Sequence, residues 1–419
     1  MSSVSTVSPF DPPPVRKREI FGWCCFDFAN SAFTTVIITV VYAVYFMRVV
    51  AGNDPRGPGW WGTALAVSQV VVILLAPLLG AVADVTARKK TFLMGSAVVC
   101  SIATAALYFT GAGDVWLALA LVIVANMTFS LGENFCAAFL PEISTAENVG
   151  RISGFGWAFG YLGGLVSLVL ALVILQSGEG RAPWTFVMTG AFFLLACLPT
   201  LLLRERARRR SLAKGESYVS LAWGQIREMR RDLPQHRTLA RFFLAMTLYM
   251  VGLTAVIAFA SVFATQTLHM TQSEVIVLFI VLQVAGVAGA YGFGLLQDRL
   301  GAKVSLVLSL ALWLIVCGWA AVCHTKGEFY AIGVIAGAAM GSLQSSGRAV
   351  VSGLTPPGRG GEFFGYWGFF GKLAGVFGPF MFGWVTTGFG FQAAIVVTGL
   401  FFASGLAVVA ALPFGARRR

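Results

Sequence analysis

Apolar residues run in long blocks separated by short polar clusters, and twelve blocks can be drawn: near 20–50, 60–82, 91–111, 114–139, 152–176, 184–203, 241–265, 274–297, 303–323, 328–350, 363–386 and 391–413. Each approaches or exceeds the ~20 residues that carry a helix through a hydrocarbon layer about 30 Å thick, at about 1.5 Å per residue. Only helices and closed barrels satisfy the backbone in lipid, and the alternating pattern of barrel strands is absent, so helices are expected. A shorter pattern lies between the sixth and seventh blocks. There Val219, Trp223, Ile226 and Leu233 recur at roughly helical spacing with charges opposite, which predicts a helix lying on the headgroups.

Composition agrees with a membrane protein. Of 419 residues, 57% are hydrophobic and 11% charged, against about a quarter charged in soluble domains. The net charge of +12 would suit nucleic acid if it were spread evenly. Instead, 25 of the 30 Lys and Arg fall on one side of the predicted spans and four on the other (Arg48, Arg56, Arg181, Lys326), with Lys372 alone inside a span. That is the positive-inside pattern, so both termini are expected in the cytoplasm of a multi-pass protein of the cytoplasmic (inner) membrane, with no nucleic-acid partner. The Pro-rich basic head before the first span lacks a small-residue cleavage site and is expected to be retained. Seven Cys form neither a CxxC pair nor a Cys/His array with zinc spacing, so no metal site or cofactor is expected and the thiols are read as small apolar fillers.

The division is a cytoplasmic tail over 1–19, six spans over 20–203, a basic linker with the amphipathic helix over 204–240, six more spans over 241–413 and a basic tail over 414–419. The halves echo each other. Gly80, Asp84, Arg88 and Lys89 in "GAVADVTARKK" answer Gly294, Asp298 and Lys303 in "GLLQDRLGAKV", and "GRISGFGWAFGYLGG" from Gly150 answers "GRGGEFFGYWGFFGKLAG" from Gly358. Two echoes in order at nearly one offset predict parallel six-span repeats. On these residues the chain resembles the major facilitator superfamily, an all-α membrane fold of twelve helices in two pseudo-symmetric six-helix bundles. The superfamily's loop motif, Gly-x-x-x-Asp-x-x-Gly-Arg-Lys, is matched except that Ala87 replaces the second Gly. "FDFANSAF", 26–33, is similar to the "YDWANSAF" signature of the unknown major facilitators, a subfamily related to the fungal vacuolar amino-acid effluxers of autophagy. Phe26 and Phe28 replace its Tyr and Trp, removing a phenol and an indole donor.

Polar residues inside the spans mark the candidate site. Asp27, Asn30, Ser31 and Thr34 make one stripe on the first span, and Asn126, Ser130, Glu133 and Asn134 make one on the fourth. An Asp facing lipid near the bilayer centre costs about 2.5–3.5 kcal/mol, so the stripes should face protein or water. The tenth span brings Ser342, Ser345, Ser346 and Arg348 towards the same level. Asp27, Glu133 and Arg348 could form a gate or proton-responsive cluster, or a static packing network with a snorkelling Arg. Lys372, about 15 Å deep, needs an anion: Asp27, a substrate carboxylate or an opposing carbonyl. The repeating Gly156, Gly160, Gly164, Gly333, Gly337 and Gly341, with Gly365, Gly368, Gly371, Gly375 and Gly378, are expected to allow close helix approach. The resemblance implies that Gly80, Asp84 and Arg88, with Asp298 in the second copy, form a conformational latch. It also implies that Met246 and Met250, four apart on span seven, could hand on Cu(I) as in bacterial copper importers, although their partner His in the next span is missing.

No Walker loop, zinc-protease helix or nucleophile elbow is present, so neither an ATP-driven pump nor an enzyme is expected. The expectation is a secondary transporter, monomeric, that exchanges a small solute and a proton or other coupling ion across the bilayer by alternating access. By resemblance the solute is an amino acid or similar zwitterion. The alternatives are Cu(I), a vitamin, or a membrane sensor that binds without exchange.

Overall fold

A computed structural model describes residues 15–144, 149–206, 217–355 and 360–413. Among these residues helix is the sole regular structure. Ten helices are long and apolar enough to cross a membrane. Nine are single spans: span 1 Lys17–Val50, span 2 Gly57–Thr86, span 3 Lys89–Phe109, span 4 Val115–Ile143, span 5 Val149–Gln176, span 6 Ala182–Leu202, span 7 Arg237–Gln266, span 8 Gln272–Leu300 and span 9 Ala302–Ala321. Span 10, Lys326–Leu354, is a further helix of 29 residues outside those ten. The last helix, Gly360–Ala411, is two spans meeting at Gly390, whose φ of 85° no helix continues. Phe370 stacks on Phe243, Phe391 meets Phe263, and Gly405 is back beside Tyr249. The chain therefore runs out along span 7 as span 11 (360–389) and returns as span 12 (391–411).

Local chemistry sets the helix ends. Pro58 and Pro183 sit in the first turns of spans 2 and 6, where a missing N–H costs nothing. Thr271 with Glu274, and Thr325 with Glu328, are capping boxes that open spans 8 and 10. Span 2 ends on Ala87 at φ 51°, and the corresponding turn after span 8 uses Gly301 at φ 89°. The first turn thus places an alanine in the left-handed conformation that glycine adopts without steric cost.

The internal repeat reaches atomic detail. Lys90, in the first turn of span 3, donates to the carbonyls of Leu201 and Leu203 at the end of span 6, at 3.2 and 3.1 Å. Lys303, in the first turn of span 9, donates to the carbonyls of Ala410 and Leu412 at the end of span 12, at 2.9 and 2.7 Å. Each ammonium satisfies orphan carbonyls at the negative end of a helix dipole.

Glycines report how the first six and last six spans meet. On the side away from the termini, a Cβ on Gly62 would strike the Pro379 carbonyl, and one on Gly383 the Pro58 carbonyl, while Trp384 donates to Thr63 at 3.0 Å. On the terminal side, Gly80, Gly292, Gly294, Gly365, Gly368 and Gly371 have no neighbouring atom within 4 Å of such a Cβ. Span 11 is therefore tight against spans 2 and 7 at Gly375, Gly378 and Gly383, while at Gly365, Gly368 and Gly371 its glycine edge is open even though Phe363 and Phe370 of the same stretch stay packed on the span 7 side: the halves meet closely on the far face and leave a gap along that edge on the terminal face. The expectation of close packing along the whole span 11 stripe is corrected on this point. It holds for Gly333, Gly337 and Gly341, which seat span 10 on span 8.

The linker helix, Tyr218–Asp232, packs against span 2. Ala222 is buried, and Met229 and Leu233 rest on the core, while Val219 and Trp223 are 66% and 61% exposed. Its apolar residues thus divide between two faces instead of sharing one.

Candidate functional site

Spans 2, 4 and 11 meet along a polar seam with three rungs. At the innermost rung Asn126 donates to Ser68 Oγ at 2.5 Å. One turn on, Gln69 donates to Ser130 Oγ at 3.1 Å, and its stem lies against Gly375 of span 11. A further turn towards the terminal face, Lys372 Nζ meets Glu133 Oε2 at 2.7 Å. This ion pair joins the first six spans to the last six. Glu133 and Lys372 lie ten and about twelve residues from their helix ends, so roughly 15 Å deep. Yet their side chains are 42% and 20% exposed. The glycines unpacked just below, Gly368 and Gly371, show where that exposure leads: into the gap that opens at the terminal face.

Gln69 was not singled out from sequence. Its amide Oε1 is buried without a hydrogen-bond partner among the described residues, so the seam holds an unused acceptor one turn from the ion pair. A buried acceptor left unpaired costs about 1–3 kcal/mol, which a bound donor would recover.

The stripe on span 1 lies elsewhere. Asp27, Ser31 and Thr35 repeat every fourth residue and face Gly156, Gly160 and Gly164 of span 5, which repeat in step. A Cβ at Gly156 would strike Asp27 Oδ2 and come within 2.6 Å of Trp23; one at Gly160 would lie 3.0 Å from Ser31 Oγ; one at Gly164 would strike Gln283 of span 8 and lie 3.0 Å from Thr35 Oγ1. The glycine groove thus holds the polar edge of span 1. Asn30 is buried, and Trp23 donates to the Cys136 carbonyl of span 4 at 2.8 Å, closing span 1 over Asp27. Lys372 has Glu133 as its anion instead of Asp27, because span 11 packs on span 2 and its lysine reaches across to span 4, while Asp27 faces span 5.

On the terminal face the ion pairs among the described residues run through Lys89 rather than Arg88, which is exposed. Lys89 Nζ lies 3.0 Å from both Asp84 Oδ1 and Glu142 Oε1. Its backbone N–H donates to Glu205, and Glu142 accepts the Arg206 N–H at 3.0 Å. Arg206 Nη2 reaches the fully buried Glu19 at 2.9 Å. The Lys-for-Arg exchange has a geometric cause: Arg88 precedes span 3, and Lys89 is the first residue to turn inward. Gly80 sits above this cluster in open space. The cluster ties spans 1 to 4 to the end of span 6, and Glu19, Glu142, Glu205 and Arg206 carried no sequence motif to betray them.

The side chains of Asp298, Arg348 and Ser345 lie outside the described residues. Ser346 pairs with Ser305 at 2.8 Å and Ser342 with Ser309, so these span 10 serines bond to span 9 instead of the seam. Asn134 is half-buried beside Glu133. Met246 is fully buried in the apolar core and Met250 packs against it, an arrangement that serves packing and gives a passing ion no access at Met246.

Residues 63–414 match a family model described as vacuole effluxer Atg22 like. The chain is 24% identical over 374 residues to an uncharacterized MFS-type transporter, YxiO, of Bacillus subtilis, covering 86% of each. It is 24% identical over 296 residues to autophagy-related protein 22 of Yarrowia lipolytica, covering 63% of this chain and 50% of that one. Among solved structures, that of a D-xylose–proton symporter superposes with a TM-score of 0.72 over 96% of this chain and 99% of the other, at 15% identity. The likeness there is one of fold.

Proposed function

The chain belongs to the family of vacuole effluxer Atg22-like proteins and has the major facilitator fold of a secondary transporter, and from that premise we propose that it carries a small zwitterion, an amino acid or close relative, coupled to protons. The observation that carries this reading is the partly open Lys372–Glu133 pair joining spans 11 and 4 at mid-depth. A solute carboxylate competes with Glu133 for the Lys372 ammonium. The solute ammonium then finds Glu133 released, and the unpaired Gln69 carbonyl one turn away. Protonation of Glu133 frees Lys372 in the same way, so proton and solute act on one bond. The pair closes behind neither, and each can weaken the tie between halves that must move apart.

The positive-inside distribution supports a cytoplasmic terminal face, which makes the orientation described here inward-open, with 20–203 and 241–413 as the moving bundles around a monomer's central site. Full burial of Met246 weighs against Cu(I) as cargo. A vitamin or a sensor role is separated by the same experiment. Purified protein in proteoliposomes should exchange labelled amino acids against an internal pool, and the active ones should raise its unfolding temperature. Lys372→Met should lose both responses while remaining folded. Exchange unchanged in that variant, or no amino acid exchanged by folded wild-type protein, would overturn the reading; binding without exchange would indicate a sensor.

A further inference from the structure

Span 1 changes its winding part-way up. Over Phe33–Val40 the turns widen to i→i+5, ending with the Val41 N–H on the Val36 carbonyl at 2.8 Å. The turns widen again over Phe46–Val50, and between the two wide stretches a bend at Val41 opens a single turn of normal ladder, with the Tyr45 N–H on the Val41 carbonyl at 2.9 Å. At this junction the Thr39 and Val40 carbonyls each accept from a side chain of the opposite six spans. Ser261 of span 7 donates to Thr39, and Gln272, the first residue of span 8, donates to Val40 at 2.8 Å. A third bond runs the other way: Arg48 Nη2 donates to the Thr265 carbonyl of span 7 at 2.7 Å. Widened turns often mark functional sites, and side chains entering a helix ladder bend it there.

We propose that Ser261 and Gln272 are positioning residues of the transport cycle: by gripping main-chain carbonyls at the wide turn of span 1, they set the balance between the closed and open far face. The inference rests on the alternating-access reading of the fold and is independent of the solute. Three features favour a switch over simple packing. All three bonds cross between halves that must separate on this face. All three acceptors are backbone, which gives the latch a fixed position that side-chain rotation cannot slip. And the acceptors on span 1 lie where the ladder changes register, so a released carbonyl can be taken up by an amide one turn on as the wide turns tighten to i→i+4. Ser261 is fully buried, so breaking its bond without such recapture would strand polar groups.

The test is a distance measurement that needs no substrate. Spin labels on Asn53→Cys and His324→Cys, exposed residues of the far-face loops of the two halves, report opening of that face in nanodiscs. The Ser261→Ala/Gln272→Ala double variant should shift the ratio of long to short distances about tenfold towards the open form, the effect expected for two ordinary hydrogen bonds. Ser261→Thr, which keeps the hydroxyl, should remain near the wild-type ratio. Exchange in proteoliposomes should slow in the double variant because the far face recloses less readily. An unchanged distance distribution in a double variant that elutes and melts like wild type would overturn the proposal. So would an equal shift in the hydroxyl-retaining control, since that would point to packing volume and not to the donors. If the double variant fails to fold, Gln272→Ala alone, at a half-exposed helix start, gives the same readings at about a threefold shift.

Discussion

Lys372 of span 11 and Glu133 of span 4 stand 2.7 Å apart across the boundary between the two halves of the molecule, each a single charge set roughly 15 Å into its bundle. Because both are partly wet, the pair contributes little to stability, about 0–1 kcal/mol. Its value is in being exchangeable.

Glu133→Gln should therefore leave the protein folded but flatten the dependence of solute uptake on pH, since the neutral amide mimics the protonated acid. Lys372→Met should lower uptake at least tenfold with little change in melting temperature. Initial rates of uptake across the acid-to-neutral range check both. A Glu133→Gln variant with the wild-type pH profile would remove the carboxylate from coupling.

The glycine stripes of spans 5 and 11 should respond oppositely to a methyl group. Gly156→Ala strikes Asp27 and Trp23, so it should destabilise by about 1–3 kcal/mol, the usual range for overpacking. Gly368→Ala meets nothing in this orientation and should melt no lower than wild type, gaining up to about 1 kcal/mol of helix propensity. It should nevertheless slow transport, because the terminal face must close over that glycine. Melting curves and exchange rates on the two variants separate the effects.

Ala87→Gly should raise stability by about 1 kcal/mol, because glycine occupies φ 51° without the Cβ clash that alanine suffers. The unfolding temperature measures it. No gain would mean that the turn after span 2 carries less strain than its φ implies.

The buried Glu19–Arg206 pair should behave unlike the seam. Glu19 is fully buried and Arg206 nearly so, and removing one partner of such a pair costs about 3–5 kcal/mol. Glu19→Ala should reduce the yield of folded protein sharply, whereas Glu19→Gln, which keeps an acceptor for the guanidinium, should recover part of it.

The linker helix presents Val219, Trp223 and, at the same angle around its axis, Arg230, all exposed. Its edge should sit among anionic headgroups. Trp223→Ala combined with Arg230→Ala should weaken the dependence of melting temperature on anionic lipid content in nanodiscs; an unchanged dependence would place that edge in water.

Much of this was legible in the chain. The span pattern, the paired motifs and the buried charges all depend on local composition and spacing, which a one-dimensional reading captures. The two lysine caps illustrate the limit: sequence aligns Lys303 with Lys89, whereas the structure gives its role to Lys90. A shift of one residue rotates a helical side chain by about 100°, so spacing alone cannot assign partners across helices. The same limit explains Glu19, Glu142 and Gln69. Each is unremarkable in its own segment and acquires a role from a residue 53 or more positions away.

By itself the sequence determined that this chain is a twelve-span helical membrane protein built as a repeat, because the length of an apolar run and the cost of exposing backbone to lipid are properties of each segment alone. Which polar residues meet was decided by tertiary structure. Asp27 faces span 5 and not Lys372, Glu133 takes that lysine, and the far-face carbonyls of span 1 are held by the opposite half. These outcomes follow from helix rotation and from close approach at glycines, and they exist only once several helices are packed together.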